Sequence, residues 1–417
     1  MKVLSLYTGA AGLDLGLEAS GFEIAGCVEA NEDARRTLKQ NRPAWRLATP
    51  GDIHEHDPEE LLDSFNLARN DVCILSAGPP CQPFSKYSYW VSGDTKRLED
   101  PRAQTLNAYL NIAAAALPQV LLLENVQGFC FRGKDEGAAF IRSGIKQINH
   151  EHGVAYNPQF FTVNAASYGV PQKRERIFMI AVRDGGQISL PRATHDALPV
   201  NGNSRRKLLP FATAWDAIGD LDNKNWDRML AMGGKWRDLL PSIPEGANYK
   251  WHTPRGGGEP LFGWSTRYWS FLLKLAKDKP SWTLLAQPGS ATGPFHWRNR
   301  KLSIEEMCRL QTFPRGYNIC GSYRSAQSQV GNAVPSAIGE LIGLEIRRQV
   351  FGGRPRRKLS LIPQLRERCP PSEPVKKVSS KYFFMRGDHP AHPGAGMGPS
   401  AHKRNTSMVS PQAQQPV

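Results

Sequence analysis

The chain is expected to fold as an α/β protein carrying a second, smaller and irregular domain. Three observations predict this. It opens with an apolar run, Lys2 to Leu6, a glycine-bearing turn, Tyr7-Thr8-Gly9-Ala10-Ala11-Gly12, and a helical stretch from Leu13 to Ala19. Further short apolar runs follow, each closing on a polar or turn-forming residue, which is the pattern of buried parallel strands. The stretch from 184 to 300 breaks that pattern: it is rich in Gly and Pro, and seven of the ten tryptophans lie between Trp226 and Trp297.

Composition narrows the class. A chain of 417 residues is long enough for two domains and a tail. No apolar run reaches the length of a bilayer span, and Met1 to Tyr7 lacks the pattern of a signal peptide. Seven scattered cysteines without a Cys-x-x-Cys pair argue for reduced thiols and a cytoplasmic setting, and against disulfides or zinc. The net charge is +15, which favours an anionic partner. From Phe351 onward there are 12 Lys/Arg against 3 Asp/Glu, which leaves +6 for the first 350 residues. The folded part is only moderately basic.

Each element has its own reason. The turn from Gly9 to Gly12 lets backbone approach a ligand at a helix N-terminus, although an ordinary tight turn reads the same way. Phe22 to Val28 is a second strand, ending at Glu29, where α/β folds commonly hold a ribose hydroxyl. A helix is expected over 31–40, then an acidic turn at Pro50-Gly51-Asp52-Ile53. These turns would share one sheet edge and suit an adenosine-like cofactor. No phosphate-binding Gly-x-x-x-x-Gly-Lys-Ser/Thr loop occurs.

Asp71 to Leu75 is a buried strand that runs into Ser76-Ala77-Gly78-Pro79-Pro80-Cys81-Gln82-Pro83-Phe84-Ser85. The prolines stop the strand and stiffen the turn. Cys81 then sits at the carboxyl edge of the sheet, as a pre-positioned nucleophile or as a small buried hydrophobe. A long polar loop reaches to about Arg102, and a helix covers 103–116. Val120 to Leu123 is a strand ending at Glu124-Asn125-Val126, where a carboxylate would be partly desolvated and its pKa raised. Strands are expected at Phe160 to Val163 and Ile177 to Val182, flanking the basic turn Gln172-Lys173-Arg174-Glu175-Arg176. Arg174 and Arg176 are expected to point different ways. A late helix runs from Ala333 to Val350.

These residues resemble the DNA (cytosine-5) methyltransferases. Gly78-Pro79-Pro80-Cys81-Gln82, Glu124-Asn125-Val126, Gln172-Lys173-Arg174-Glu175-Arg176, Leu310-Gln311-Thr312-Phe313-Pro314 and Gln329-Val330-Gly331-Asn332-Ala333-Val334-Pro335 match that family's motifs in order and approximate spacing. Five motifs in register over residues 2–350 are a specific signal. Tyr7 departs from the family's more common phenylalanine but keeps an aromatic face.

The resemblance implies a Rossmann-like methyltransferase domain with a mixed, mostly parallel sheet, discontinuous over 1–183 and 301–350. It places a target-recognition domain at 184–300. The stretch 351–417, rich in Pro, Gly, Ser, Lys and Arg with little periodic apolar content, is expected to be a basic, mostly disordered tail whose removal near Gly353 keeps activity. It implies S-adenosylmethionine as cofactor, held by Tyr7, Gly9, Gly12, Glu29, Asp52, Ile53, Pro80 and Asn332. It implies Cys81 as nucleophile, Glu124 and Arg176 on the base, and Arg174 positioning the site. Gln82, Ser85, Arg255 and Arg267 would contact substrate, with Lys274, Arg298 and Arg300 as further candidates. The partner would be double-stranded DNA with a flipped-out cytosine. No metal or membrane is implied, the protein would act as a monomer, and a cognate restriction endonuclease would be a functional partner. Two alternatives stand beside this: methylation of tRNA by the same chemistry, and a nucleic-acid binder without catalysis. A papain-like thiol enzyme lacks a placed histidine.

Inside 184–300 most tryptophans are expected to form a small core, and a helix is expected near Trp269 to Lys277.

Overall fold

A single six-stranded sheet organises the chain in the computed structural model, which describes residues 1–80, 104–130, 135–197, 208–223, 227–264, 266–354, 356 and 358–387. Its strands are β1 (Lys2–Leu6), β2 (Glu23–Val28), β3 (Val72–Ala77), β4 (Val120–Asn125), β5 (Gln159–Asn164) and β7 (Glu175–Val182), in the order β2-β1-β3-β4-β7-β5. β1 pairs in parallel with both β2 and β3, and β3 pairs in parallel with β4. β7 runs antiparallel to both β4 and β5. The expected mixed, mostly parallel sheet is therefore present.

This topology concentrates chemistry at one edge. The carboxyl ends of β1 to β4 share that edge, and the strand order switches direction at β1, where open sheets form a crevice. Because β7 is reversed, its first residues reach the same edge: Glu124 lies opposite Phe178 and Asn125 opposite Ile177. The basic turn at 172–176 is thus delivered beside the ends of the parallel strands.

Helices cover both faces. α1 (Gly12–Ala19), α2 (Glu32–Asn41), α3 (Pro58–Ser64), α4 (Gln104–Ala116) and α5 (Glu136–His152) follow the strands. Asn31 caps α2 by accepting from the Ala34 N–H, and Asp57 caps α3 with Pro58 in its first turn. The late helix begins after Pro335, as α9 (Ser336–Gln349), not at Ala333. It returns to pack on α1, and a Cβ on Gly16 would sit 2.2 Å from the Ser336 carbonyl. The two backbones touch there, so the end of the chain is part of the sheet's cover.

The region after β7 holds short pieces: the strand pair β8 (His195–Asp196) and β9 (Leu209–Pro210), α6 (Ala214–Ile218), and β10 (Ser281–Trp282), which pairs with β6 (Gln172–Lys173). α7 (Ile304–Leu310) and α8 (Tyr323–Asn332) then lead back to α9. Leu239, Tyr249, Phe262, Phe271 and Phe295 build an aromatic core of their own. The helix expected near Trp269 to Lys277 is not formed. Leu272 takes a left-handed backbone (φ 52°), which breaks helical continuity, and Phe271 and Lys274 instead bridge to Thr292 and Phe295.

The expectation of a disordered tail from 351 is also corrected for 358–387. Composition missed its few well-placed apolar residues: Leu361 and Ile362 pack on the sheet's cover, and Tyr382 is buried in the aromatic core. Polar anchors accompany them. Glu340 on α9, fully buried, accepts from Arg356, from the Ser360 hydroxyl and N–H, and from the Leu361 N–H. Farther on, Lys277 is held between Glu245 and Glu373 at 2.9 and 3.0 Å. Residues 358–387 thus form a strap from α9 to the aromatic core.

Ending the chain after Gly353 takes the partners away from Glu340 and Glu373 away from Lys277. Loss of a partner from a buried charge costs roughly 3–5 kcal/mol. The truncated protein is expected to unfold at a clearly lower denaturant concentration than the full chain. Superimposable unfolding curves would show that the strap adds nothing.

Candidate active site

Glu124 closes β4 at the shared edge and is buried. Its Oε1 lies 2.9 Å from Nε of Arg176, near the start of β7. Burial pushes the Glu124 carboxyl above the ordinary carboxylate range; the Arg176 and Arg174 guanidiniums pull the other way without cancelling it. The carboxyl is thus able to hold a proton while keeping an ion-pair geometry. The raised pKa expected from its place at a strand mouth is borne out.

Arg174 is almost wholly buried. It occupies the break between β6 and β7 and donates to the Leu284 carbonyl at 3.2 Å and the Gly331 carbonyl at 2.7 Å. Both guanidiniums lie near enough to Glu124 to act on its pKa, so the expectation that they point different ways is corrected. Residues two apart on an extended chain share a face; they differ in depth. Arg174 ties three distant segments together, and Arg176 meets the carboxylate.

The motifs from the end of the chain explain how that tie is built. Gln172 donates to the Gln311 side chain at 3.2 Å and accepts from the Leu284 N–H. Gln311 donates to the Val330 and Ala333 carbonyls and its own carbonyl accepts from the Ser336 N–H. These glutamines carry no assigned role in the sequence reading. Only the tertiary structure shows that they crosslink 172, 284, 311 and 330 inside the protein.

The turn that leads to Cys81 comes to the same place. Gly78 donates to the Leu6 carbonyl, and an ideal Cβ on Gly78 would lie 3.7 Å from Oε2 of Glu124. Pro79 is buried and Pro80 exposed. Cys81, Gln82 and Ser85, like the long loop after them, lie outside the described residues.

The ends of β1 and β2 form a second cluster beside this one. Tyr7 and Gly9 have left-handed backbones (φ 58° and 55°). Among the described residues, a Cβ on Gly9 would meet nothing within 4 Å, so the turn is open on that side. Glu29 accepts from the N–H groups of Gly9 and Asn31, each at 2.7 Å, and is pushed above its ordinary pKa by burial. The turn carrying Asp52 packs on Glu29: a Cβ on Gly51 would lie 2.5 Å from the Glu29 carbonyl oxygen. Asp52 accepts from the His54 N–H, and Ile53 beside it is buried. An open glycine cradle flanked by two carboxylates fits a ligand rich in hydroxyl and amino donors. Tyr7 takes no polar part, since its hydroxyl donates to the Thr105 carbonyl at 2.8 Å.

Gly12 has a different use, as its missing Cβ makes room for the Val334 carbonyl. Asn332 is exposed at the end of α8. Asp14 was missed by the sequence reading. It is buried beneath the turn, accepts from Ser76, and burial pushes its pKa up to about 6.

Of the basic residues singled out between 255 and 300, three are structural. Lys274 is buried and donates to the Ile243 carbonyl. Arg298 pairs with Asp222, and the buried Arg300 makes a double contact with Glu306 at 2.8 and 2.6 Å. Arg255 and Arg267 are exposed and lie over aromatic rings, Trp264 for the first and Phe262 and Phe271 for the second.

Replacing Arg174 with Ala leaves two buried carbonyls without their donor, at about 1–3 kcal/mol each. Arg174→Ala is expected to lose several kcal/mol in denaturant melts. Arg176→Ala is expected to lose less, because Glu124 answers by taking up a proton at a still higher pH. Carboxyl titration followed by NMR checks the shift, with Glu124→Gln identifying the signal. Equal destabilisation by both substitutions, with no movement of the Glu124 titration, would contradict the division of roles.

Comparison with known proteins identifies the architecture. The family model for the C-5 cytosine-specific DNA methylases matches residues 1–348. Type II methyltransferase M.SacI of Streptomyces achromogenes is 34% identical over 370 residues, covering 82% of this chain and 91% of that protein. Type II methyltransferase M.Eco47II of Escherichia coli is 31% identical, covering 82% and 78%. A solved structure described as a DNA modification methyltransferase encoded within an E. coli prophage shares the fold, with a TM-score of 0.57 at 22% identity, covering 84% of this chain and 99% of its own. The Dnmt2 methyltransferase of S. pombe shares it with a TM-score of 0.54 at 18% identity, over 84% and 99%. The chain belongs to the C-5 cytosine-specific DNA methylases, and its activity is that of a DNA (cytosine-5-)-methyltransferase.

Proposed function

We propose that this methyltransferase uses S-adenosylmethionine and forms a covalent adduct between Cys81 and a cytosine flipped out of duplex DNA. The observation that carries the reading is the pairing of Glu124 with Arg176 at 2.9 Å, with the Gly78 turn that leads to Cys81 arriving beside the same carboxylate.

Gly9, Glu29 and Asp52 suit the cofactor: Glu29 would accept from the ribose hydroxyls and Asp52 from the adenine amino group. Tyr7, Ile53, Pro80 and Asn332 complete that assignment by position, and Gly12 supports the turn from behind by its packing on Val334. When bound, S-adenosylmethionine supplies an electrophilic methyl group on a sulfonium. The chain prepares the acceptor. The Cys81 thiolate adds to carbon 6, and the proton held by Glu124 passes to N3. Electron density then builds at carbon 5, which is otherwise a poor nucleophile. Arg176 holds Glu124 and faces the base carbonyl, and Arg174 keeps the edge assembled. After carbon 5 is substituted, its proton is lost to water as the Cys81 thiolate is expelled, and N3 returns its proton to Glu124, which restores the ring and the enzyme. Gln82 and Ser85 would contact the same nucleotide.

The domain division follows from this. Residues 1–183 with 301–350 form the catalytic domain, and 184–300 the target-recognition domain, with Arg255 and Arg267 free to meet DNA. The names of the relatives support a place in a restriction–modification system, beside a cognate endonuclease, in the prokaryotic cytoplasm or nucleoid. The protein would act as a monomer. Among the described residues no helix is long and apolar enough to cross a membrane, and no His/Cys/Asp/Glu group is arranged to hold a metal.

Labelled S-adenosylmethionine with unmethylated DNA, followed by base-resolved sequencing, tests the proposal. The wild type is expected to place label on carbon 5 of cytosine in one sequence context, and Cys81→Ser to place none. Label retained by Cys81→Ser would exclude Cys81 as nucleophile. Glu124→Gln is expected to slow transfer by at least about 100-fold, the usual contribution of a general acid. It should also remove the loss of rate as pH rises, since Glu124 donates only below its raised pKa. An unchanged alkaline limb would place that titration elsewhere.

A further inference from the structure

The lobe between β7 and α7 carries exposed aromatic surface that its core does not use. Trp264 and Trp269 are 41% and 49% exposed, although most tryptophans of this region were expected to be core. Neither stands alone. Lys173 lies 5.1 Å from the Trp282 ring, and Trp282 meets Trp269 edge-on at 5.4 Å. Lys250 lies over both Trp269 and Trp264, at 5.4 and 4.3 Å, and Arg255 lies 4.9 Å from Trp264. Cations and rings thus follow one another in contact from the catalytic edge outward, with Trp282 and Trp269 adjacent. The inner end is fixed: Lys173 precedes Arg174, and Trp282 is paired to Lys173 through β10 and β6.

The charges of this ladder differ from three others in the lobe. Lys277, Arg298 and Arg300 are each neutralised by a carboxylate. Among the described residues, no carboxylate pairs with Lys173, Lys250 or Arg255. Their charge rests on ring faces, which attract a cation by only about 0.5–1 kcal/mol at exposed sites. It stays available to a phosphate. Exposed rings beside unneutralised cations suit a nucleic acid backbone, whose phosphates meet the cations while its sugars meet the rings.

We propose that Lys173, Trp282, Trp269, Lys250, Trp264 and Arg255 form a track for duplex DNA that leads the target strand into the Glu124 edge. The proposal rests on the methyltransferase reading above. It assigns Trp264 and Trp269 as substrate-positioning residues and Lys250, set between them, as the principal phosphate contact.

Full-length Trp264→Ala, Trp269→Ala and Lys250→Ala proteins test it, with unmethylated plasmid DNA as substrate and melting curves as the control for folding. Each tryptophan variant is expected to raise KM for DNA by about tenfold, the usual effect of losing one aromatic contact to a strand. Cofactor affinity and melting should stay as in the wild type, and phenylalanine at either position should restore most of the loss. Lys250→Ala should lower the salt dependence of DNA binding by about one counterion. If the wild type methylates DNA and the variants match it in KM and salt slope, the track is overturned while the catalytic reading stands. If the wild type methylates no DNA, that reading fails first. Transfer to tRNA instead, lost in the same variants, would overturn duplex DNA as the occupant.

Discussion

A buried guanidinium is the constraint on which the catalytic edge depends. Arg174 lies where β6 gives way to β7, and its hydrogen bonds reach Leu284 and Gly331. Those partners are more than a hundred residues away in sequence. A charge taken so far from water is tolerated only when its donors are met. The chain must therefore bring the lobe segment at 284 and the end of α8 to the sheet before the site exists. Gln172 and Gln311 repeat the same tie with neutral groups. The reversed β7 then presents Arg176 to Glu124 at the edge where the parallel strands end.

That arrangement gives the carboxylate two opposed influences. Burial favours its neutral form, and two nearby guanidiniums favour its charged form. A group held between these limits can carry a proton to a base nitrogen and still be oriented by an ion pair. The cofactor cluster is built differently. Glu29 is oriented by backbone N–H groups, and Gly9 leaves the space in front of it open. In the proposed mechanism acid–base chemistry and cofactor recognition thus use separate strand ends of one sheet, with Asp14 on the first helix accepting from Ser76.

Much of this was legible in the sequence because it is local. Apolar runs that stop at Glu29, Glu124 or a Gly-Pro-Pro turn announce strand ends, and strand ends meet at one edge of an open sheet. What stayed hidden was decided by distant contacts. Lys274 and Arg300 look like surface cations until Ile243 and Glu306 are found beside them. Trp264 and Trp269 look like core until the aromatic core is seen to be complete without them. The segment at 269–277 has helical periodicity, but Leu272 is held in a left-handed turn. The tail reads as disordered on average, yet Glu340 and the aromatic core each find a partner in it. Averages over a window cannot register a single buried carboxylate.

Attack of Cys81 on a cytosine at the Glu124 edge is the step on which the proposed mechanism turns. Duplex DNA carrying 5-fluorocytosine at the methylated position tests it most directly. Fluorine cannot leave carbon 5 as the hydrogen does, so the adduct persists and can be mapped by mass spectrometry of the digested protein. A nucleotide joined to the peptide containing Cys81 is expected, in a yield that falls in Glu124→Gln. An adduct on any other cysteine, or complete turnover without an adduct, would contradict it.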